Sequence, residues 1–250
     1  LQNPYKNPSK AISLHKQGGV ICLMPGIYSN ISIAEAAATK ERPLVVRKSP
    51  QSDKDVLITS PSYAYKTGVH VLRSGHVYVI GLNVSGFQKG ISFDSVKGGG
   101  MIGNTVSQIG LDGLHVGQNF NYNTRMFADH PSENIVVLGN RVEGTGYQDF
   151  KRSGQRPKYG EGIYIGTGAK FGDRTHDILV KDNTVQNTSA EGIEVKHATY
   201  NIQVIRNHIS DVSLSFKGAI TVSIGSEDDD TDGNYRNLGN TIENVGVPEI

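Results

Sequence analysis

The chain has 250 residues, which is enough to bury an ample core in one large domain or two small ones. Its 25 Lys and Arg residues nearly balance 24 Asp and Glu residues, so the net charge of +1 gives no overall field that would favour nucleic acid or a membrane surface. Thirty glycines, no tryptophan and short apolar runs cut by Gly or Asn are typical of a strand-and-turn protein.

The sequence gives no sign of a membrane anchor, since no apolar run reaches the roughly 18 residues of a spanning helix. Because the chain begins at Leu1 without a methionine, we expect a processed, secreted form. The single cysteine, Cys22, cannot form an internal disulfide, and its place in an apolar run predicts a buried, unreactive thiol.

The N-terminal residues predict a cap on one end of the domain. Residues 8–17 have the pattern of a short amphipathic helix with Ser9 as its N-cap and Ile12 on the apolar side. We expect residues 1–17 to cover the end of the core. A strand that stops at a Pro-Gly turn follows, and Ile31 belongs to a second alternating run.

A short motif recurs from residue 68 onward, in which a small residue precedes two apolar residues that flank a variable one. This alternation predicts strands that send the apolar residues to a core and the residue between them to the other face. The copies are GVHV at 68–71, GISF at 90–93, GLHV at 113–116, GIYI at 162–165, GIEV at 192–195 and AITV at 219–222.

A second motif interleaves with the first and carries an asparagine near an apolar alternation. Two strand types per repeat of about 22 residues or more predict an all-β fold, a right-handed parallel β-helix, as a single domain over residues 1–250. A sandwich or barrel would require hairpin turns at shorter spacing. We expect an amide ladder at one corner, formed by Asn104, Asn140, Asn183, Asn207 and Asn240.

Stacking the first motif coil on coil predicts two columns of side chains that face away from the core. The first column holds His70, Ser92, His115, Tyr164, Glu194 and Thr221, and the second holds Leu72, Asp94, Gly117, Gly166, Lys196 and Ser223. Gly117 and Gly166 leave a bare strip beside Lys196, which gives a chain-like ligand room to lie across the sheet. The sequence therefore predicts a groove with Tyr164 and Glu194 next to Lys196.

Two insertions, at residues 117–132 and 145–161, are predicted to wall this groove. The second is rich in Lys and Arg and carries aromatic residues, and the first contributes Arg125 with further aromatics. Basic groups among aromatic rings suit an anionic polymer that is built of rings. Because the net charge is near zero and no nucleic-acid motif is recognised, a uronate polysaccharide fits better than nucleic acid.

The simplest cleavage of a uronate polymer is β-elimination. It needs a base for the proton beside the carboxylate, a group that neutralises the carboxylate, and an acid for the leaving oxygen. Tyrosine and lysine can serve when burial or neighbouring charges bring such groups toward the working pH. Tyr159 lies near Arg156 and Lys158, and Lys196 lies beside Glu194 on a predicted strand. Tyr159 and Lys196 are therefore the catalytic candidates, and the residues alone leave the base and acid roles open.

The segments GEGIYIG at 160–166, AEGIEVK at 190–196 and NIQVIRNHI at 201–209 resemble polysaccharide lyase family 31, the β-helical alginate lyases. The resemblance implies that Tyr159 abstracts the C5 proton and that Lys196 protonates the leaving oxygen. It also implies alginate as the polymer, with its mannuronate blocks preferred and with attack inside the chain. We expect a monomer.

Related β-helical lyases of family 6 hold a calcium ion beside the substrate carboxylate with an asparagine and a Glu-x-Glu pair. This chain departs from that pattern, because Glu191 and Glu194 are three residues apart and are expected to face different ways on a strand. The ligand pattern therefore gives calcium no support, and we predict a site without metal or other cofactor. The residues expected to bind substrate are His115, Arg125, Arg152, Tyr164, Glu194 and Lys217.

Two other classes of function remain open from the sequence. A β-helical glycoside hydrolase would need paired acids on the groove face, whereas Asp94 and Glu194 are predicted to lie three coils apart, about 14 Å at the usual strand spacing. A carbohydrate-binding protein or adhesin without catalysis would use the same groove without groups of altered pKa.

Overall fold

The computed structural model describes residues 7–51, 53–60, 67–121, 123–146, 160–168, 172–212, 218–222 and 234–245. Over these ranges the chain winds as a right-handed parallel β-helix, which confirms the predicted fold class. Within them, no helix combines the length and the apolarity needed to cross a bilayer.

The single described helix, α1, comprises Pro8–Leu14 and is shorter than predicted. Its N-cap is Asn7 rather than Ser9, because the Asn7 side chain accepts a hydrogen bond from the Ser9 amide at 2.8 Å. Pro8 then takes the first helical position, where its missing N–H costs nothing. Ala11 and Ile12 are buried and cover the end of the core.

The strands follow one another around the coils. In chain order they are β1 (Gly19–Leu23), β2 (Gly26–Tyr28), β3 (Ile31–Ala34), β4 (Leu44–Lys48), β5 (Val56–Thr59), β6 (Thr67–Ile80), β7 (Asn83–Ser85), β8 (Lys89–Ile102), β9 (Thr105–Ser107), β10 (Leu114–Gly117), β11 (Phe120–Asn121), β12 (Met126–Phe127), β13 (Glu133–Leu138), β14 (Arg141–Glu143), β15 (Ile163–Ile165), β16 (His176–Lys181), β17 (Thr184–Gln186), β18 (Ile193–Val195), β19 (Tyr200–Ile205), β20 (His208–Val212), β21 (Ile220–Val222), β22 (Tyr235–Leu238) and β23 (Thr241–Val245).

These strands form three parallel faces. The first sheet runs β3, β6, β8, β10, β15, β18, β21. The second runs β1, β4, β6, β8, β13, β16, β19, β22, and it shares the long strands β6 and β8 with the first. The third runs β2, β5, β7, β9, β14, β17, β20, β23. Each first-sheet strand therefore lies directly over its counterpart in the previous coil.

The asparagine ladder lies at the corner between the second and third sheets, as predicted. The side-chain amide of Asn104 donates to Oδ1 of Asn140 at 3.0 Å, and that of Asn140 donates to Oδ1 of Asn183 at 2.9 Å. Asn207 and Asn240 continue the series at 3.0 Å. The residue before each asparagine has a positive φ, between 53° and 62°, which explains why Gly fills most of these positions.

The glycine that opens most copies of the first motif is set by the close approach of the first and third sheets. A Cβ atom at Gly162 would lie 2.3 Å from Cγ1 of Val185 and 2.6 Å from the carbonyl oxygen of Gly192. Gly90 and Gly113 meet third-sheet valines in the same way. The coil can close only where this side chain is absent.

Inward residues of all three sheets form one core, and β1 shows the alternation clearly. Ile21 and Leu23 are buried, whereas Val20 is 63% exposed and Cys22 is also exposed. The prediction of a buried Cys22 was therefore wrong. An apolar run looked like a fully buried strand, but one face of β1 points outward.

The two predicted insertions differ in how much of them is described. Residues 117–132 contain a small antiparallel hairpin, β11 with β12, in which Phe120 and Phe127 stack edge to face with centroids 5.2 Å apart. Of residues 145–161, only 145–146 and 160–161 lie within the described ranges.

Candidate active site

The first predicted column of outward side chains exists with the predicted register. His70 pairs with Ser92, Ser92 with His115, His115 with Tyr164, Tyr164 with Glu194, and Glu194 with Thr221. The residues on either side of the column members from His70 to Glu194, such as Ile163 and Ile165, are fully buried in the core, whereas Ile220 and Val222 beside Thr221 are partly buried. The sheet therefore presents polar groups on one face, as the alternation predicted.

The second column lies next to the first, but its two glycines do not form the predicted bare strip, because Gly117 and Gly166 are both buried. A Cβ atom on Gly117 would lie 2.6 Å from Nε2 of His115 and 3.0 Å from Oγ1 of Thr167, so neighbouring side chains occupy that space. Leu72 pairs with Asp94 and Asp94 with Gly117. Gly166 continues the column, since its amide donates to the carbonyl of Val116 at 2.7 Å. A Cβ atom on Gly166 would lie 2.9 Å from Cβ of Lys196, so these two residues are direct neighbours. Ser223, the last predicted member, lies outside the described residues.

Lys196 is held from two sides. Its ammonium donates to Oε1 of Glu194, and it lies 5.2 Å from the centre of the Tyr164 ring. The Lys196 side chain is 19% exposed, while that of Glu194 is only 4% exposed. Carboxylate and ring therefore fix a positive charge next to Gly166, and the partial exposure of Lys196 lets a ligand reach it.

His115 lies beside this cluster on the same face. Its ring centre is 5.4 Å from that of Tyr164, and its Nδ1 is 2.8 Å from the ammonium of Lys89. Because an ammonium only donates, Nδ1 accepts and the ring proton is placed on Nε2. That atom is buried and 3.6 Å from Asp94 Oδ1, and it has no hydrogen-bond partner among the described groups.

Asp94 hydrogen-bonds to two other residues of this face. It accepts hydrogen bonds from His70 and from the Ser92 hydroxyl, each at 2.8 Å. Burial disfavours its charged form, but the hydrogen bond from His70 and the electrostatic interactions with His115 and Lys89 outweigh burial and hold the pKa of Asp94 well below its usual range. Asp94 is therefore an ionised group with a structural task, not a free acid.

A further column of charged residues lies at the corner just before the first sheet. Lys89, Asp112, Glu161 and Glu191 each precede a glycine of the first motif. Their backbones are in register, since Gly90, Gly113 and Gly162 donate to the carbonyls of Asp112, Glu161 and Glu191 at 3.0 Å each. We call Asp112, Glu161 and Glu191 the acid column.

The expectation that Glu191 and Glu194 face different ways was wrong. Oxygens of Glu161, Glu191 and Glu194 all lie within 4.8 Å of one another, and all three residues are buried. Strand alternation did not apply, because Glu191 lies at the corner before β18 and only Glu194 lies within that strand. The sequence signal that was missed is the repeated acid-Gly pair before three successive strands.

The acid column divides its charge unevenly. Burial disfavours the charged form of Asp112, but Lys89, 3.1 Å from its Oδ2, and His115 outweigh burial and lower the pKa of Asp112. Burial and then the charge of Asp112 raise the pKa of Glu161 to about 8. Burial and the neighbouring Asp112 carboxylate therefore both favour the neutral form of Glu161.

Three carboxyl groups this close need positive charge nearby, which can be a proton, an ammonium group or a metal ion. The ammonium of Lys196 on Glu194 supplies one such charge, and the raised pKa of Glu161 favours a proton on that group. Glu161, Glu191 and Glu194 are also placed closely enough to hold a metal ion, so the site without metal stays a prediction.

The structure brings together four of the predicted site residues, His115, Tyr164, Glu194 and Lys196. Arg125 lies at the exposed turn between β11 and β12, on the hairpin that follows β10. Tyr159, Arg152 and Lys217 lie outside the described residues, so their roles stay predictions.

Stacked coils with one polar face define a parallel β-helix, and comparison with known proteins agrees on that fold. The chain matches no family model and no curated protein sequence. Among solved structures it is similar to an alginate lyase from Paenibacillus sp. str. FPU-7, with 18% identity, a TM-score of 0.69, and coverage of 94% of this chain and 83% of that one.

Two further structures share the fold at lower similarity. Pectate lyase Pel9A gives 11% identity and a TM-score of 0.60 over 91% of this chain and 52% of that one. A thermostable alpha-1,3-glucanase from Streptomyces thermodiastaticus strain HF3-3 gives 16% identity and a TM-score of 0.51, over 94% of this chain and 43% of that one. At such identities the likeness establishes the parallel β-helix and nothing finer.

Proposed function

We propose that this protein is a polysaccharide lyase that cleaves an anionic uronate polymer by β-elimination, with alginate as its substrate. The observation that carries the proposal is the ammonium of Lys196, held between Glu194 and the Tyr164 ring next to Gly166. We further propose a preference for mannuronate blocks, cleavage inside the polymer to give unsaturated oligosaccharides, and action outside the cell as a monomer.

In the proposed reaction Tyr159, as its phenolate, takes the proton from C5 of the uronate and becomes the neutral phenol. The electron pair left on C5 forms the C4–C5 double bond, the bond from C4 to the glycosidic oxygen breaks, and Lys196 gives its proton to that oxygen. Glu194 and Tyr164 contribute by fixing the ammonium before substrate arrives, which lowers the entropy that the reaction must lose.

The substrate carboxylate needs a partner as charge develops on C5. We assign His115 to this role as one candidate, because its ring lies 5.4 Å from that of Tyr164 and its Nε2 has no hydrogen-bond partner among the described groups. Arg125, Arg152 and Lys217 are the other residues we assign to substrate binding. The ammonium of Lys196 on the same face also suits an anionic polymer better than a neutral one.

A glycoside hydrolase is the second candidate, favoured only by the similarity to the glucanase fold. Such an enzyme needs one carboxyl group as acid and a second as nucleophile or base across the bond. Asp94 is bound to His70 and Ser92, and Glu194 is bound to Lys196. Neither outward carboxylate is available for that task, so the lyase is the better reading.

A single assay separates the candidates. The protein is incubated with alginate, pectate, hyaluronan and chondroitin while ultraviolet absorbance of the unsaturated uronate and reducing ends are both followed. A lyase gives both signals, a hydrolase gives reducing ends alone, and a binding protein gives neither. The lyase proposal fails if no polymer yields the absorbance.

The residue assignment is tested with Tyr159→Phe and Lys196→Ala. Each should lower kcat by about 100-fold or more, the usual contribution of a positioned acid or base. Lys181→Ala is the matched control, because Lys181 lies on the second sheet and pairs with Ile205 and Leu138. If both site variants keep near-normal rates while Lys181→Ala does too, the site is misplaced even where lyase activity is found.

A further inference from the structure

Lys196 lies just beyond the strand that presents it to the site. Strand β18 ends at Val195, and its described pairings with β15 and β21 end at that residue as well. The backbone amide of Lys196 donates to the carbonyl of Ile165 at 2.8 Å, whereas its carbonyl accepts from the hydroxyl of Thr199 at 2.6 Å. A side chain therefore supplies the hydrogen bond that a carbonyl inside a strand obtains from the neighbouring strand.

This hydrogen bond closes a tight corner at residues 196–199. The Thr199 hydroxyl reaches back over three positions to the Lys196 carbonyl, the separation that a backbone amide bridges in a β-turn. Within the corner Ala198 has a φ of 62°, a left-handed conformation that is unfavourable for a residue with a Cβ atom. The corner therefore depends on contacts that keep it closed.

Thr199 is itself fixed by its surroundings. It is fully buried, and a Cβ atom on Gly166 would lie 2.8 Å from its Cγ2, so its methyl group packs against the glycine next to Lys196. Its carbonyl accepts from the hydroxyl of Tyr235, which lies on β22 in the following coil. The Thr199 hydroxyl is therefore held in place to meet the Lys196 carbonyl.

We propose that Thr199 is a positioning residue whose hydroxyl fixes the backbone of Lys196, and with it the point from which the ammonium reaches the leaving oxygen. The catalytic meaning of this inference rests on the proposed function. Glu194 and the Tyr164 ring hold the far end of the Lys196 side chain, and Thr199 holds the backbone at its near end. Displacing either end should slow the elimination more than it weakens substrate binding, because the acid is then misplaced in the transition state.

Kinetics of the full chain on alginate test this with two substitutions at one position. Thr199→Val keeps the shape and removes the hydroxyl, so we expect kcat to fall about tenfold with KM changed less than about threefold. Thr199→Ser keeps the hydroxyl and should hold kcat within about threefold of wild type. The matched control is Thr188→Val, because Thr188 is equally buried and donates to the Ala190 carbonyl at 2.9 Å, before the start of β18. It should also keep kcat within about threefold.

A double variant distinguishes positioning from a general loss of structure. If Thr199 acts through Lys196, its hydroxyl has no acid left to position in Lys196→Ala. Adding Thr199→Val to Lys196→Ala should then change the residual rate by less than about twofold. If Thr199→Val lowers the residual rate by the same factor as it lowers the wild-type rate, the proposal is overturned.

Hydrogen exchange measured by NMR without substrate separates this inference from the lyase proposal. Protection of the Lys196 amide should fall about tenfold or more in Thr199→Val and persist in Thr199→Ser and Thr188→Val. These exchange results with no lyase product on any polymer would sink the proposed function and support the structural role of Thr199. Equal protection in wild type and Thr199→Val, or an equal loss of kcat in Thr199→Val and Thr188→Val, would overturn that role.

Discussion

Replacing Asn140 by alanine should damage the β-helix more than any surface change of similar size. Asn140 is 1% exposed, and its side chain accepts from the amide and the side chain of Asn104 at 2.9 and 3.0 Å. It also donates to the Met101 carbonyl and to Asn183, both at 2.9 Å. Four hydrogen bonds at about 1 kcal/mol each predict a loss of about 4 kcal/mol in the free energy of unfolding.

The matched control is Asn240→Ala at the end of the described ladder. Asn240 is only partly buried, and its side chain serves Asn207 and the Val204 carbonyl, so water can replace most of what alanine removes. We expect a loss of about 1 kcal/mol there.

Circular dichroism melts of the full chain measure the difference. For a chain of this size each kcal/mol corresponds to about 2 to 4 °C, so Asn140→Ala should lower Tm by about 8 to 16 °C and Asn240→Ala by about 2 to 4 °C. Equal shifts for the two variants would refute the reasoning that the ladder stabilises through buried, fully paired amides.

Three further outcomes are expected. Gly166→Ala places a Cβ atom 2.9 Å from Cβ of Lys196, so kcat should fall about tenfold or more, whereas Gly103→Ala has a similar positive φ with no atom within 4 Å and should leave the rate unchanged. The lowered pKa of Asp94 means that its contribution to stability is present above its ordinary pKa of about 3.9 and is lost as pH falls. In thermal melts from pH 2 to 6, Tm should therefore fall less steeply towards low pH in Asp94→Asn than in wild type. Parallel plots of Tm against pH would contradict this. EDTA should leave the rate on alginate unchanged, and a loss that calcium restores would contradict the prediction of a site without metal.

The fold was predictable because a coil imposes the same demands at each turn. The alternation around Ile163 and Ile193, the glycine before each strand and the asparagine at the corner all recur, and each repeats for a local physical reason. Register then follows from the repeat, so the pairing of Tyr164 with Glu194 was available from the sequence. The helix limits were missed because the repeat begins only at residue 68 and does not specify where the N-terminal helix ends. The exposure of Cys22 was missed because an apolar run hides the fact that one face of β1 points outward.

The candidate site was predictable only in part, and the division has a physical cause. Residues within strands obey alternation, so Tyr164, Glu194 and Lys196 were expected on one face and lie there together. Residues at corners obey backbone angles that alternation does not describe, so Glu161 and Glu191 were not expected beside Glu194. A corner column is visible in sequence only as like residues at equal offsets before successive strands.

In a β-helix the same interaction repeats from coil to coil, so the acid column affects stability differently from columns of other residue types. Stacked valines bury more apolar surface and stacked asparagines complete one another's hydrogen bonds, so such columns stabilise the coil. Stacked acids do the reverse, because each repels the next and burial increases the cost. The repulsion is reduced where cations lie beside the acids, and here Lys89 contacts Asp112 while Lys196 contacts Glu194.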